Sequence, residues 1–283
     1  MDGTWRSKRR IGCAVVLLLA ALTIGWVVSA AWREAKADPI VHRTSLVLPD
    51  MPAGARPVTI ALLSDIHVAE PDMPPTRLKR IVAQVNALHP DVIVLAGDFV
   101  AAHGAFIHPY PIDAAIAPLA GLHAPFGVYA VDGNHDFWRG RRKIEAELAR
   151  RGVTVLDNAA RRVGPLALGG LSNIIRNPKR FAAILTTMRA VGGGPVIVSH
   201  SPDNFHWLPP NTGLMLAGHT HCGQIRLFGW APVTNSRFGQ RYVCGLVRER
   251  GDVLIVTAGL GTSVLPFRLD APPDLWLIEV RPR

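Results

Sequence analysis

Hydrophobic positions fall into three regimes along the chain. From Ile11 to Trp32 they run on without one charged residue, which predicts a single helix long enough to cross a hydrocarbon core of about 30 Å at ~1.5 Å per residue. Residues 33–56 are rich in proline and small residues and keep no strong period, so they read as a linker. From residue 57 onward, short apolar runs alternate with stretches of helical spacing. Val58–Leu63 and the run VIVLAG before Asp98 read as buried strands, and between them Leu78, Ile81, Val82, Val85 and Leu88 recur at helical intervals. The same unit returns as a helix near 112–122, a strand GVYAVDG, and a helix over Arg141–Arg151. Strands near 154–156 and 166–171, a helix over 178–190, and strands at 195–199 and 214–217 follow.

The last quarter changes character. QIRLF, RYVCGL, VLIVTAG and LWLIEV read as strands joined by turns, without intervening helices. A βαβ part followed by a mostly antiparallel part predicts an α/β fold of two packed mixed β-sheets flanked by helices, preceded by one N-terminal transmembrane helix. The predicted organisation is a basic flank (1–10), a transmembrane segment (11–32), a linker (33–56) and one folded domain (57–283).

Composition adds few limits. The 283 residues, 49% hydrophobic, suffice for one large core. A formal net charge of +10 suits phosphate, anionic lipid and nucleic acid equally, but no basic stripe interleaved with aromatics marks a nucleic-acid groove. Cys13, Cys222 and Cys244 form no CxxC pair, which argues against a thiolate zinc site. Arg6, Lys8, Arg9 and Arg10 precede the apolar helix, Arg33, Lys36 and Arg43 follow it, and Trp32 stands at an interfacial position. Ala35-Lys36-Ala37 resembles a signal-peptidase site, yet the apolar run exceeds the 7–15 residues usual in a signal peptide, so an uncleaved anchor is expected. The excess of positive charge at the N-terminus is slight and favours a domain outside the cytoplasm, on the periplasmic side in a Gram-negative cell.

Chemistry concentrates where strands end. Asp65-Ile66-His67, Gly97-Asp98, Gly133-Asn134-His135-Asp136, His200 and Gly218-His219-Thr220-His221 each follow an apolar strand, on the edge where open α/β sheets place ligands. Each cluster alone is weak; five in this order are specific. In that order they resemble calcineurin-like metallophosphoesterases over roughly 57–283. Gln224-Ile225, Gly259-Leu260-Gly261-Thr262-Ser263 and Pro266-Phe267-Arg268 further resemble the bacterial YaeI/YkuE-like branch. Cys222 stands where that pattern has glycine.

The resemblance implies a hydrolase of phosphodiester, phosphomonoester or pyrophosphate bonds with two divalent metal ions. One would be held by Asp65, His67, Asp98 and His221, the other by Asp98, Asn134, His200 and His219, with Asp98 bridging. Mixed nitrogen and oxygen donors suit Mn, Fe or Zn better than Mg or Ca. A hydroxide between the metals would attack phosphorus in line. His135 is the expected general acid and Asp136 the residue orienting its ring. A membrane- or envelope-associated, possibly lipid-linked, phosphoester is the expected substrate. A UDP-2,3-diacylglucosamine-type precursor is the alternative if the domain faces the cytoplasm, and a non-catalytic metal-binding scaffold is the second. His42, His89, His123 and His206 read as surface or capping residues, and His103 and His108 as candidates for the site rim. Phe137-Trp138, Trp207 and Trp230 read as packing, and Arg176, Lys179 and Arg180 as a solvated helix start. Cys222 and Cys244 read either as two buried thiols or as a disulfide, the latter if RYVCGL pairs with QIRLF.

Overall fold

The computed structural model describes residues 2–102, 104, 106–171 and 178–283. His103 and Arg176 lie outside the described residues, as do the side chains of Lys179 and Arg180.

Along the chain come α1 (Asp2–Ala35), β1 (Ile40–Val47), β2 (Val58–Leu63), β3 (Ala69–Glu70), α2 (Pro75–Asn86), β4 (Val92–Leu95), β5 (His108–Pro109) and α3 (Ile112–Ile116). They are followed by β6 (Val128–Ala130), α4 (Asn134–Arg150), β7 (Val153–Val155), β8 (Ala159–Val163), β9 (Leu166–Leu171) and α5 (Pro178–Val191). The chain then runs through β10 (Gly194–Ser199), β11 (Leu214–Ala217), β12 (Gly245–Glu249), β13 (Asp252–Val256) and β14 (Asp274–Arg281).

Among the described residues the strands form two six-stranded sheets, ordered β1-β14-β2-β4-β6-β7 and β12-β13-β11-β10-β9-β8, and a small β3–β5 pair. Strand alternation explains how they stack. Ile60 and Leu62 of β2, Val92 and Val94 of β4, Val196 and Val198 of β10, and Leu214 and Leu216 of β11 meet in one central cluster between the sheets. Their neighbours point the other way: Ala61, Leu63, Ile93 and Leu95 onto α2, α3 and α4, and Ile197, Met215 and Ala217 onto α5 and the turn at Phe205. Both faces of each sheet are covered, which is why these strands read as unbroken apolar runs. At ~1.5–3 kcal/mol for each fully buried aliphatic side chain, the two-sided burial fixes the strand ends that carry the site.

The fold class is the expected one, and five details differ. Residues 33–56 contain β1, an edge strand whose His42, Arg43, Thr44 and Ser45 carry too little apolar pattern to read. QIRLF is not a strand: Ile225 bridges Leu269 and Leu227 bridges Trp230, within a tight hairpin. RYVCGL is divided between a 3₁₀ turn, Gly239–Tyr242, and the start of β12. The second sheet is mainly parallel, since β9–β10, β10–β11 and β11–β13 all run parallel. The loop from Gly218 to Cys244 acts as the crossover between β11 and β13, and sequence period does not reveal a crossover made without a helix. The helix expected from Arg141 begins instead at Asn134 and kinks at Gly140, whose φ of 114° only glycine adopts readily.

Candidate metal centre

β2, β4 and β6 lie side by side in one sheet, β10 and β11 in the other, and their carboxyl ends deliver the five clusters to one place. The approach is close. A Cβ on Gly133 would overlap the Asp98 carboxylate, and one on Gly218 would overlap Ser64 and Asp65. Asp65, His67, Asp98, His219 and His221 all turn through positive φ, 48° to 73°. Non-glycine residues at such angles cost on the order of 1 kcal/mol or more each and persist where surrounding structure holds them.

Two donor groups result. In the first, His67 Nε2 lies 3.1 Å from His221 Nε2, 3.8 Å from Asp65 Oδ1 and 3.4 Å from Asp98 Oδ2, and His221 Nε2 lies 3.4 Å from Asp65 Oδ1. In the second, His200 Nε2 lies 3.3 Å from Asp98 Oδ2, 3.1 Å from Asn134 Oδ1 and 3.1 Å from His219 Nδ1. The structure thus brings together all seven residues expected to ligate metal.

The donor set fits cations. His200 Nδ1 faces the Ala96 carbonyl at 2.7 Å and donates to it, which leaves the Nε2 lone pair aimed at other acceptors. Burial alone would lower the His200 pKa, yet the Asp98 carboxylate raises it to about 10, so this spot draws positive charge. Asp65 Oδ1 is buried without a hydrogen-bond partner, an arrangement that is costly without a cation nearby. Bonds of about 2.0–2.2 Å to one ion put donor atoms roughly 3–3.6 Å apart, the spacing seen here.

Asp136 stands elsewhere than expected. Its carboxylate does not orient the His135 ring; Oδ2 accepts the backbone N–H groups of Asp98 and Gly133, both at 2.8 Å, and Oδ1 accepts that of Phe99 at 2.9 Å. The orienting group for His135 is the backbone N–H of Ala102, which donates to Nδ1 at 3.0 Å. Burial lowers the His135 pKa to about 4, so the ring is neutral and carries its proton on Nε2. His135 and Trp138, with ring centroids 4.8 Å apart, line a cavity of about 330 Å³ above the donor groups. Trp138 is therefore a wall of the site, whereas His108 pairs in β5 and stays outside it. Trp207 and Trp230 are exposed rather than packed.

Gln224 and Arg268 carry no task legible in the sequence. Arg268 is fully buried; it donates to the carbonyls of Ala258 (2.7 Å), Gly261 (2.6 Å) and Ala271 (2.8 Å), and its Nη2 lies 3.3 Å from His221 Nδ1. Burial lowers its pKa to about 10, which still leaves it charged at neutral pH. The only sequence signal is the fixed charge of arginine, which once buried must find acceptors; which carbonyls it meets is set by the fold. Cys222 and Cys244 form a disulfide, Cα atoms 4.7 Å apart, packed with Ala258 and Ala271. It joins Cys222 to the segment before β12 rather than one strand to another. Cys222 has φ 53°, which explains why glycine suits that position.

A family model described as calcineurin-like phosphoesterase matches residues 58–223, and the chain belongs to that family. It is similar to a transmembrane protein with metallophosphoesterase domain from Danio rerio, 27% identical over 285 residues, covering 94% of this chain and 62% of that protein. The chain thus spans less than two thirds of that relative's length. The metallophosphoesterase YkuE of Bacillus subtilis is 26% identical over 240 residues, covering 82% of each chain. A dimetal phosphatase of known crystal structure, also from Danio rerio, aligns at 14% identity with a TM-score of 0.43 over 72% of this chain and 88% of that one.

Proposed function

We propose that the protein is a dinuclear metal-dependent hydrolase of phosphoester bonds, anchored to a membrane by α1. The observation that carries the reading is the position of Asp98 Oδ2, 3.4 Å from His67 Nε2 of one donor group and 3.3 Å from His200 Nε2 of the other. A shared carboxylate oxygen is what two neighbouring cations require to offset their repulsion. Asp65, His67, Asp98 and His221 would hold one ion, and Asp98, Asn134, His200 and His219 the other. Imidazole, amide and carboxylate together favour Mn, Fe or Zn. When bound, such a pair supplies an activated water at neutral pH and electrostatic relief for phosphoryl oxygens.

The remaining work falls to the chain. His135, neutral with its proton on Nε2, offers that N–H to a substrate oxygen as negative charge develops there; the Ala102 N–H on Nδ1 opposes a second ring proton. Asp136 fixes the backbone of Asp98 and so the place of the shared oxygen. Trp138 walls the cavity and limits how an ester can enter.

The helical stretch Arg10–Ala35, 26 residues long and holding an 18-residue run of mean hydropathy 2.6, supports a single membrane crossing. The Cys222–Cys244 disulfide supports a domain outside the cytoplasm, because such bridges persist in oxidising compartments. That placement favours a membrane- or envelope-associated phosphoester over a cytoplasmic lipid precursor.

The test is a hydrolysis screen of the full chain in detergent with bis-p-nitrophenyl phosphate and p-nitrophenyl phosphate, loaded with Mn, Fe or Zn. Metal content is measured in parallel on wild type and Asp98→Asn. Activity lost on chelation, restored by metal, and lost with metal content in Asp98→Asn supports the reading. Full metal occupancy and near wild-type rate in Asp98→Asn would sink it.

A further inference from the structure

A second groove, about 380 Å³, lies beside the metal-site cavity. His221, Asn235, Ser263 and Val264 line both, so the two hollows adjoin along a shared wall. Away from that shared wall the groove turns apolar, with Ile225, Pro232, Val233 and Leu265. Val233 and Val264 are about two-thirds exposed, at 63% and 66%. Val264 also holds φ 67°, a conformation that β-branched residues seldom adopt. Asparagine or glycine would rest there with less strain, yet the position presents an apolar side chain to the hollow.

The groove is built from the segments that grip the end of α1. The Gln224 side chain accepts the N–H of Ser263 at 2.7 Å and donates to the carbonyls of Ser263 and Leu265 at 3.0 and 2.9 Å. The backbone continues the link, with Leu269 N–H donating to the Gln224 carbonyl at 3.0 Å and Arg226 N–H to the Leu269 carbonyl at 2.8 Å. Next to Leu269, Ala271 N–H donates to the Glu34 carboxylate at 2.8 Å, and Arg268 N–H donates to the Ala31 carbonyl at 3.0 Å. The rings of Trp32 and Phe267 close the joint at 5.8 Å. Between Arg226 and Ala231 the hairpin also projects Leu227, Phe228 and Trp230, all exposed. An exposed apolar tip beside the exit of a long apolar helix fits immersion at a lipid surface.

We infer that this groove receives the hydrocarbon chain of an amphiphilic phosphoester whose phosphate lies at the metal centre. The inference rests on the phosphoesterase reading above and names its substrate class. Apolar walls adjoining the metal cavity, on the side where α1 meets the domain, give a hydrocarbon chain a place to lie while its phosphate reaches the metal centre.

The full chain in neutral detergent micelles is given alkyl phosphates and alkyl p-nitrophenyl phosphates, each in a methyl and a dodecyl form. Wild type is expected to show at least tenfold higher kcat/KM for the dodecyl member of whichever class it cleaves. Val233→Ser combined with Leu265→Ser is expected to lower the dodecyl-to-methyl ratio at least tenfold. Both side chains are partly or largely exposed, so their replacement costs the fold little, and micelle partitioning is the same for both enzymes. Cleavage of the methyl esters without chain preference, or a ratio unmoved by the double substitution, overturns the inference and leaves the hydrolase reading standing. Failure of metal-loaded wild type to cleave any of the four esters overturns both.

Discussion

The Asp136 carboxylate accepts the backbone N–H of Asp98 at 2.8 Å, tying the start of α4 to the loop whose Asp98 Oδ2 lies between His67 and His200. Both its oxygens are committed to backbone N–H groups, those of Asp98, Gly133 and Phe99. In Asp136→Asn one oxygen becomes an NH₂ group, which must face a donor it cannot accept. We expect a 10- to 100-fold loss in metal affinity, the usual scale for groups supporting a metal ligand, and roughly 1–3 kcal/mol of lost stability. Calorimetric metal titration checks the first and urea unfolding the second. Unchanged affinity would mean that the Asp98 loop holds its place without Asp136.

His135 touches none of the groups expected to orient it, but its Nε2–H is free to serve substrate because Ala102 occupies Nδ1. His135→Ala is expected to keep both metals and to slow esters with alkoxide leaving groups by about 100- to 1,000-fold, the scale of one hydrogen bond to developing charge. p-Nitrophenyl esters, whose leaving oxygen needs little support, should lose less. Equal losses on both would place the hydrogen bond on a non-leaving oxygen.

Most of the site was legible because its residues are tied to strand ends. Val58–Leu63, Val92–Leu95 and Leu214–Ala217 are apolar runs buried on both faces, and where such a run stops in Asp, His or Asn the polar residue must lie at the sheet edge. The rest depends on contacts between segments far apart in sequence. Asp136 and Asp98 are separated by 38 residues, and nothing in Asn-His-Asp tells which neighbour its carboxylate will meet. The edge strand Ile40–Val47 gains its place from register with Asp274–Arg281 rather than from its own pattern. QIRLF has strand-like residues but lies in a hairpin whose hydrogen bonds go to Leu269 and Trp230. Local propensity lost there to long-range pairing.

The Cys222–Cys244 disulfide closes a stretch of sequence separation 22 that includes the apolar hairpin. By chain entropy, a closed loop of this length contributes about 3 kcal/mol. Cys222→Ser with Cys244→Ser is expected to lose stability of that order and to lower metal affinity, since Cys222 directly follows His221. Thermal unfolding with and without reductant checks it. Reductant should lower the wild-type midpoint and leave the double variant unmoved; a wild-type midpoint insensitive to complete reduction would count against the bridge.

His42 on β1 lies 3.4 Å from the Asp274 carboxylate on β14, and this hydrogen-bonded partner raises its pKa above the ordinary value. A raised histidine pKa means that the pair's contribution is fully present below about pH 6.5 and disappears as pH rises through the folded-state pKa. The ring is about half exposed, so the contribution is small, at most about 1 kcal/mol. His42→Gln should therefore destabilise at pH 5.5 and be nearly neutral at pH 8.5, read from urea unfolding at both values. A larger deficit at pH 8.5 than at pH 5.5 would contradict the assignment.

The end of α1 packs into the folded domain, which favours a retained anchor over a cleaved leader. Ala31 and Ala35 are buried, the Ala31 carbonyl accepts the Arg268 N–H at 3.0 Å, and the Glu34 carboxylate accepts the Ala271 N–H at 2.8 Å. Cleavage after Ala37 would remove all of these groups and leave the N–H groups of Arg268 and Ala271 without their partners, at a cost of about 1–3 kcal/mol for each that stays buried. The loop they belong to is the one Arg268 ties to His221, so the loss would reach the metal centre. We expect the mature chain to keep its residues upstream of Asp38, to sediment with membranes, to resist extraction by high salt and to be released by detergent. Salt screens charge but leaves a spanning apolar helix in place, whereas a purely electrostatic attachment would weaken. Glu34→Ala should lower the unfolding midpoint of the detergent-solubilised protein by a few degrees without releasing it from the membrane, because it breaks the joint and leaves the apolar span intact. N-terminal sequencing of the purified protein is decisive: a mature chain beginning at Asp38 would show that the helix is removed and that the domain holds its metal loops without it.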